Sequence, residues 1–171
     1  MRTFRRYMLA PISMLGFAGT VSAANFNLVP NALRYAKPGE WVLLQNVENP
    51  KDQVRVSVVS RECEGNEEVV VIKREEYAED GTIAEVKDRR IKMSRYQERL
   101  DKLDQRADRI SREKMTVGEK EITVYVIEWE DTEKDREIKI WLSYDIPAGG
   151  FVRIWSSDPE CPTYDLVEYC R

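Results

Sequence analysis

The run Glu121-Ile122-Thr123-Val124-Tyr125-Val126-Ile127-Glu128-Trp129 is rich in β-branched and aromatic residues and alternates with a period of two. That period puts Ile122, Val124 and Val126 on one face and Tyr125, Ile127 and Trp129 on the other. A sheet with apolar groups on both sides must cover both. The sequence downstream repeats the pattern. Asp131 to Asp135 is a polar turn, and Arg136 to Ser143 sets Ile138, Ile140 and Leu142 opposite Trp141. Asp145-Ile146-Pro147-Ala148-Gly149-Gly150 is a tight reversal, in which Pro147 fixes one φ and the glycines tolerate positive φ. Phe151 to Ser157 and Tyr164 to Tyr169 read as the last strands.

Upstream, Gly118-Glu119-Lys120 is a turn led into by Glu113 to Val117. Further back, Gly39 to Gln45, Gln53 to Ser60, Glu67 to Arg74 and Thr82 to Met93 read as four strands separated by turn residues. The alternation in the fourth slips, with Ala84 and Val86 on one face and Ile91 and Met93 on the other, which predicts a bulge or break near Asp88. One helix interrupts the strands. Ser94-Arg95-Tyr96-Gln97 fits a capping box with Ser94 as N-cap, and Tyr96, Leu100, Leu103, Ala107 and Ile110 form one apolar stripe. The expectation is a mostly β fold: a single curved antiparallel sheet, half-barrel-like, of eight or nine strands, with one amphipathic helix packed on it.

The first 23 residues read as an address. Arg2, Arg5 and Arg6 precede a short apolar run from Met8 to Gly19, and Val21-Ser22-Ala23 supplies the small residues of a cleavage site. This predicts a signal peptide over residues 1–23, a single β-rich domain over 24–171, and a periplasmic or secreted protein that is not integral to the membrane. The pair Arg5-Arg6 leaves both general and twin-arginine export open. Cleavage shifts the net charge from −4 to −7, and basic and acidic residues are mixed along the chain, so no nucleic-acid partner is expected.

The chain has no histidine, which removes the Ser/His/Asp triad, the Cys–His dyad and every His-containing metal site. The three cysteines, Cys63, Cys161 and Cys170, match no zinc spacing; export makes one disulfide plausible, and a regular last strand keeps Cys161 and Cys170 too far apart to be joined. There is no EF-hand spacing and no phosphate-cradling glycine loop, so neither metal nor cofactor is expected. Among the 31 acids, Asp145, Asp158 and Asp165 lie in or beside loops, where a hydrolase using a carboxylate pair would place them; ordinary turn aspartates favour the same positions.

Ile140 to Arg153, built as strand, Ile146-Pro147-Ala148-Gly149-Gly150 and strand again, resembles the C-terminal hairpin of exported bacterial proteins that are themselves similar to LolA-like lipoprotein-carrier half-barrels. Gly39-Glu40-Trp41-Val42 and Val117-Gly118-Glu119-Lys120 share that resemblance. It implies a curved antiparallel sheet, a helix near its concave face and carriage of acyl chains; it carries over no ligand residue. The aromatic set Tyr125, Trp129, Trp141 and Trp155 is the candidate ligand surface, since the three tryptophans fall on consecutive strands. The alternative is that the helix covers them as a small second core layer. The expected function is non-enzymatic: binding of a hydrophobic or lipid ligand, or of an envelope protein. A carboxylate-pair hydrolase and a structural or interaction module are the other readings.

Overall fold

A computed structural model describes residues 29–171; the expected export signal over residues 1–23 lies outside the described residues. Nine strands form one open antiparallel sheet. They are β1 (Trp41–Asn46), β2 (Gln53–Glu64), β3 (Glu67–Tyr77), β4 (Ile83–Lys92), β5 (Arg109–Val117), β6 (Lys120–Asp131), β7 (Arg136–Leu142), β8 (Phe151–Ser156) and β9 (Tyr164–Cys170). The helix α1 (Met93–Arg106) joins β4 to β5. The spatial order β4-β3-β2-β1-β9-β8-β7-β6-β5 makes two up-and-down meanders, and the first and last strands join them in the middle of the sheet. No described helix is long and apolar enough to cross a membrane.

The sheet is curved, and its register is interrupted between β1 and β9 at Leu43/Leu44, between β2 and β3 at Val58/Ser60, between β3 and β4 at Glu76/Tyr77 and between β7 and β8 at Trp141/Leu142. Each extra residue bends its strand and increases the local twist. The irregularity expected near Asp88 is not there: Asp88 pairs regularly with Lys73, and the break falls at Ala84. The slipping alternation has another cause. β4 is an edge strand on which only Ile91 is even partly buried, so no core constrains which residues share a face.

The helix is also shorter and differently capped than its sequence predicts. Lys92 is the N-cap and makes no side-chain capping bond. Ser94 lies inside the first turn, where its N–H and Oγ–H both donate at 3.0 Å to Glu67, a carboxylate brought from the start of β3. Gln97 turns to Asp101 and Asn31 instead of back to Ser94. At the other end the last helical bond is Ala107 N–H to Leu103 O, and Asp108 then commits the backbone to β6 by donating to Glu128 O and accepting from Glu130 N–H. Ile110 is therefore a β5 residue paired with Ile127.

Two apolar clusters hold the sheet. The larger unites Val42, Leu44, Val58, Val70, Val124 and Val152 with Leu33 from the 3-10 turn Ala32–Tyr35 and Ala36 that caps it, and Tyr96 packs against it. The smaller joins Leu100 of α1 to Val29, Ile127, Trp129 and Leu142, flanked by Leu103 and Ala107. The 3-10 turn has carbonyls that no strand satisfies, and Arg61 takes them. Its guanidinium donates to Leu33 O (3.1 Å), Ala36 O (2.5 Å) and Arg34 O (3.0 Å), and its other edge holds Glu68 at 2.6 Å. All three cysteines are free, with β9 running as a strand through Cys170.

The reversal between β7 and β8 presses on the same turn. A Cβ on Gly150 would lie 2.6 Å from Ser143 O and 2.8 Å from Ala32 Cβ, at a φ of +79° that L side chains rarely adopt. Gly150→Ala should therefore destabilise by about 2 kcal/mol or more, read as a loss in the denaturation midpoint. Arg61→Met keeps the aliphatic stem but leaves Arg34 O and Ala36 O unpaired, and should lower stability by about 2 kcal/mol; urea melts of both variants beside the wild type provide the check.

Candidate ligand cleft

Register decides what the tryptophans do. In antiparallel pairs directly opposite residues share a face. Tyr125 opposes Leu142, Ile127 opposes Ile140 and Trp129 opposes Ile138, so these residues form one face. Val126 opposes Trp141, Trp141 opposes Arg153 and Lys139 opposes Trp155, which puts Trp141 and Trp155 on the other. The expected set of four is thus divided. Trp129 is buried with Leu100 of α1 and Ile127, and Arg106 lies over its ring at 5.9 Å, so here the helix does make a second core layer. Tyr125 meets Tyr144 edge-on at 5.9 Å, away from the other two tryptophans. Trp141 and Trp155 remain half-buried on the face that turns away from α1.

Around them lies an open cleft of about 490 Å³, walled by β7 and β8 and by Val47, Glu48 and Thr163. Aromatic and cation alternate in both directions on its floor. Lys139 Nζ lies 5.6 Å from the centre of the Trp155 ring, and the Arg153 guanidinium 5.6 Å from that of Trp141. Both cations are themselves neutralised. Arg153 donates to both oxygens of Asp165 at 2.5 and 2.6 Å, and this pairing holds its pKa above the ordinary value. Lys139 is 3.1 Å from Glu128. The Trp141 indole is fixed by donating Nε1–H to Glu113 at 2.8 Å. A fixed Trp141 ring beside paired cations makes a preformed surface, on which Glu48 and Glu113 leave a net negative charge.

The loop that walls the cleft is also tied down. Asn46 Oδ1 accepts from the N–H groups of Glu48 and Asn49, Asn46 Nδ2 donates to Asp52, and the Tyr164 hydroxyl donates to the same carboxylate at 2.8 Å. Val47 N–H reaches Thr163 O at 2.9 Å and closes the wall. Burial, reinforced by Asp52, pushes the Tyr164 hydroxyl up to about 12, and burial alone does the same for Tyr96.

The three aspartates of the hydrolase reading do not converge. Asp145 lies before β8 beside Arg171, and Asp158 lies beyond the other end of β8, held by Arg136 and Cys161. A six-residue strand separates them by roughly 20 Å. Asp165 is occupied by Arg153. Among the described residues no group of three or more Cys, Asp or Glu side chains is placed to hold a metal ion. Lys139, Arg153, Glu48 and Thr163 escaped the sequence reading, although Lys139 and Arg153 stand two positions from Trp141 and Trp155 and so share their faces. Comparison with known proteins adds nothing to this picture: no family model, no curated protein and no solved structure matches the chain.

Because Tyr96 and Tyr164 have folded-state values above the unfolded tyrosine value near 10, their contribution to stability is complete below about pH 10 and is lost as pH rises towards 12. Absorbance titration should show both phenols still protonated at about pH 11 in folded protein, and Tyr164→Phe should flatten the loss of stability over that window.

Proposed function

We propose that the chain is an exported, non-catalytic binding protein and that its ligand lies on the Trp141–Trp155 cleft. One observation supports this most directly: two tryptophans are left half-exposed on one face of the sheet, with Lys139 and Arg153 beside them already paired. A core would have enclosed those rings, and a general surface would not have fixed one of them by an indole hydrogen bond. The ligand this suits presents an apolar body, such as an acyl chain or the apolar segment of an envelope partner. The cleft volume falls within the usual range for small-molecule sites, roughly 300 to 1,000 Å³. Each methylene that leaves water there contributes about 0.8 kcal/mol before ordering costs.

The test is titration with a fluorescent fatty acid, followed by energy transfer from tryptophan. Saturable binding is expected, weakened about tenfold by Trp155→Ala with a small change in melting temperature. Trp129→Ala should do the opposite, lowering stability by roughly 3 kcal/mol while leaving the probe's affinity near that of the wild type. Absence of saturable binding in the wild type would sink the reading.

A further inference from the structure

We propose that the groove between β4 and the first half of α1 is an anion site for a phosphate group, separate from the tryptophan cleft. The groove encloses about 370 Å³. Its floor is set by register. Arg89 opposes Ile72 and Ile91 opposes Val70, so Arg89 and Ile91 share the face that Met93 and Tyr96 of α1 pack upon. Because α1 follows β4 directly, Arg95 and Arg99, one helical turn apart, line the groove opposite Arg89.

The cations of this region divide into two kinds. Arg90 and Lys92 also border the groove, but their side chains alternate away from Arg89 and are neutralised, Arg90 by Glu62 at 2.7 Å and Glu64 at 2.5 Å, Lys92 by Glu64 at 3.9 Å. Arg89, Arg95 and Arg99 make no ion pair and no side-chain hydrogen bond among the described residues, and residues 1–28 contain no Asp or Glu that could supply one. The neighbouring carboxylate, Glu67, has both oxygens engaged by Ser94. Three exposed guanidiniums therefore face one groove without an ion pair, Glu67 acting on Arg95 only from beyond ion-pair distance, in a chain whose net charge is −4. Such an arrangement is unfavourable empty, because the three like charges repel, and a multivalent oxyanion removes the repulsion while accepting forked N–H donors. Ile72, Ile91 and Tyr96 give the same groove an apolar wall, so the phosphate could be free or the head group of a lipid.

Calorimetric titration with inorganic phosphate at constant ionic strength tests the site. Saturable binding is expected, and the triple variant Arg89→Gln, Arg95→Gln, Arg99→Gln should weaken it by about tenfold or more. A charge-matched control, Lys51→Gln, Arg109→Gln, Lys134→Gln, removes three exposed cations elsewhere and should stay within about twofold of wild type. The three arginines support no ion pair, so the triple variant should melt as the wild type does; should it not, Arg99→Gln alone is expected to cost about threefold. Flotation with phosphatidylglycerol vesicles, competed by inorganic phosphate, identifies a lipid head group; phosphate binding without flotation identifies a free phosphate. No saturable phosphate binding, equal binding by the triple variant, or equal loss in the charge-matched control overturns the proposal.

Discussion

The fork of Arg61 is the contact on which the rest of the architecture leans. A short 3-10 turn cannot join a sheet, so its carbonyls need donors from elsewhere. Arg61 supplies them from β2 and spends its remaining N–H groups on Glu68 of β3. The turn so held places Leu33 and Ala36 in the larger core cluster, and Ala32 becomes the surface against which Gly150 is pressed. Beside it, a Cβ on Gly149 would lie 3.3 Å from the Phe151 ring and 3.7 Å from the Tyr96 hydroxyl, so the reversal also borders the helix. A single side chain thus links the first meander, the β7–β8 reversal and the base of the helix.

Much of this could be read from alternation. Most of the strands, β6 and β7 above all, lie where apolar residues recur with period two, and the curved antiparallel sheet with one helix on it follows from them. What the sequence hid was in each case set by a partner distant in the chain. Ser94 resembles an N-cap because the residue that serves the helix start, Glu67, lies 27 positions away. Ile110 continues the helical stripe by coincidence, since the side chain that the helix would bury is buried equally well on β5 against Ile127. β4 was legible as a strand, yet its alternation carried no information because it lies at an edge.

The aromatic set shows the same limit at the candidate site. Parity within one strand is visible: Trp129 shares a face with Ile127, and Trp141 is opposite Ile140. Which face of β6 meets which face of β7 is fixed by pairing, and pairing depends on the length of the Asp131–Arg136 turn. One residue more or less there would have moved Trp141 beneath the helix. Electrostatics behaves likewise. Along the chain, acids and bases are interleaved; folded, β4 sends Arg90 and Lys92 to waiting carboxylates, while Glu85 on the face of Arg89 is taken by Lys87 and Arg89 is left without an ion pair among the described residues. Linear mixing of charge therefore says little about local potential.

The meeting of β1 with β9 has a temporal meaning. Trp41 pairs with Cys170, and Asn46 with Tyr164. Each meander is built from near neighbours and can zip locally, but the seam between them joins residues at opposite ends of the described chain, and closing so large a loop is slow. During synthesis β1 must wait, its outer edge unpaired, until the final strand has left the ribosome. The sheet thus stays unfinished until β9 is available to pair with β1.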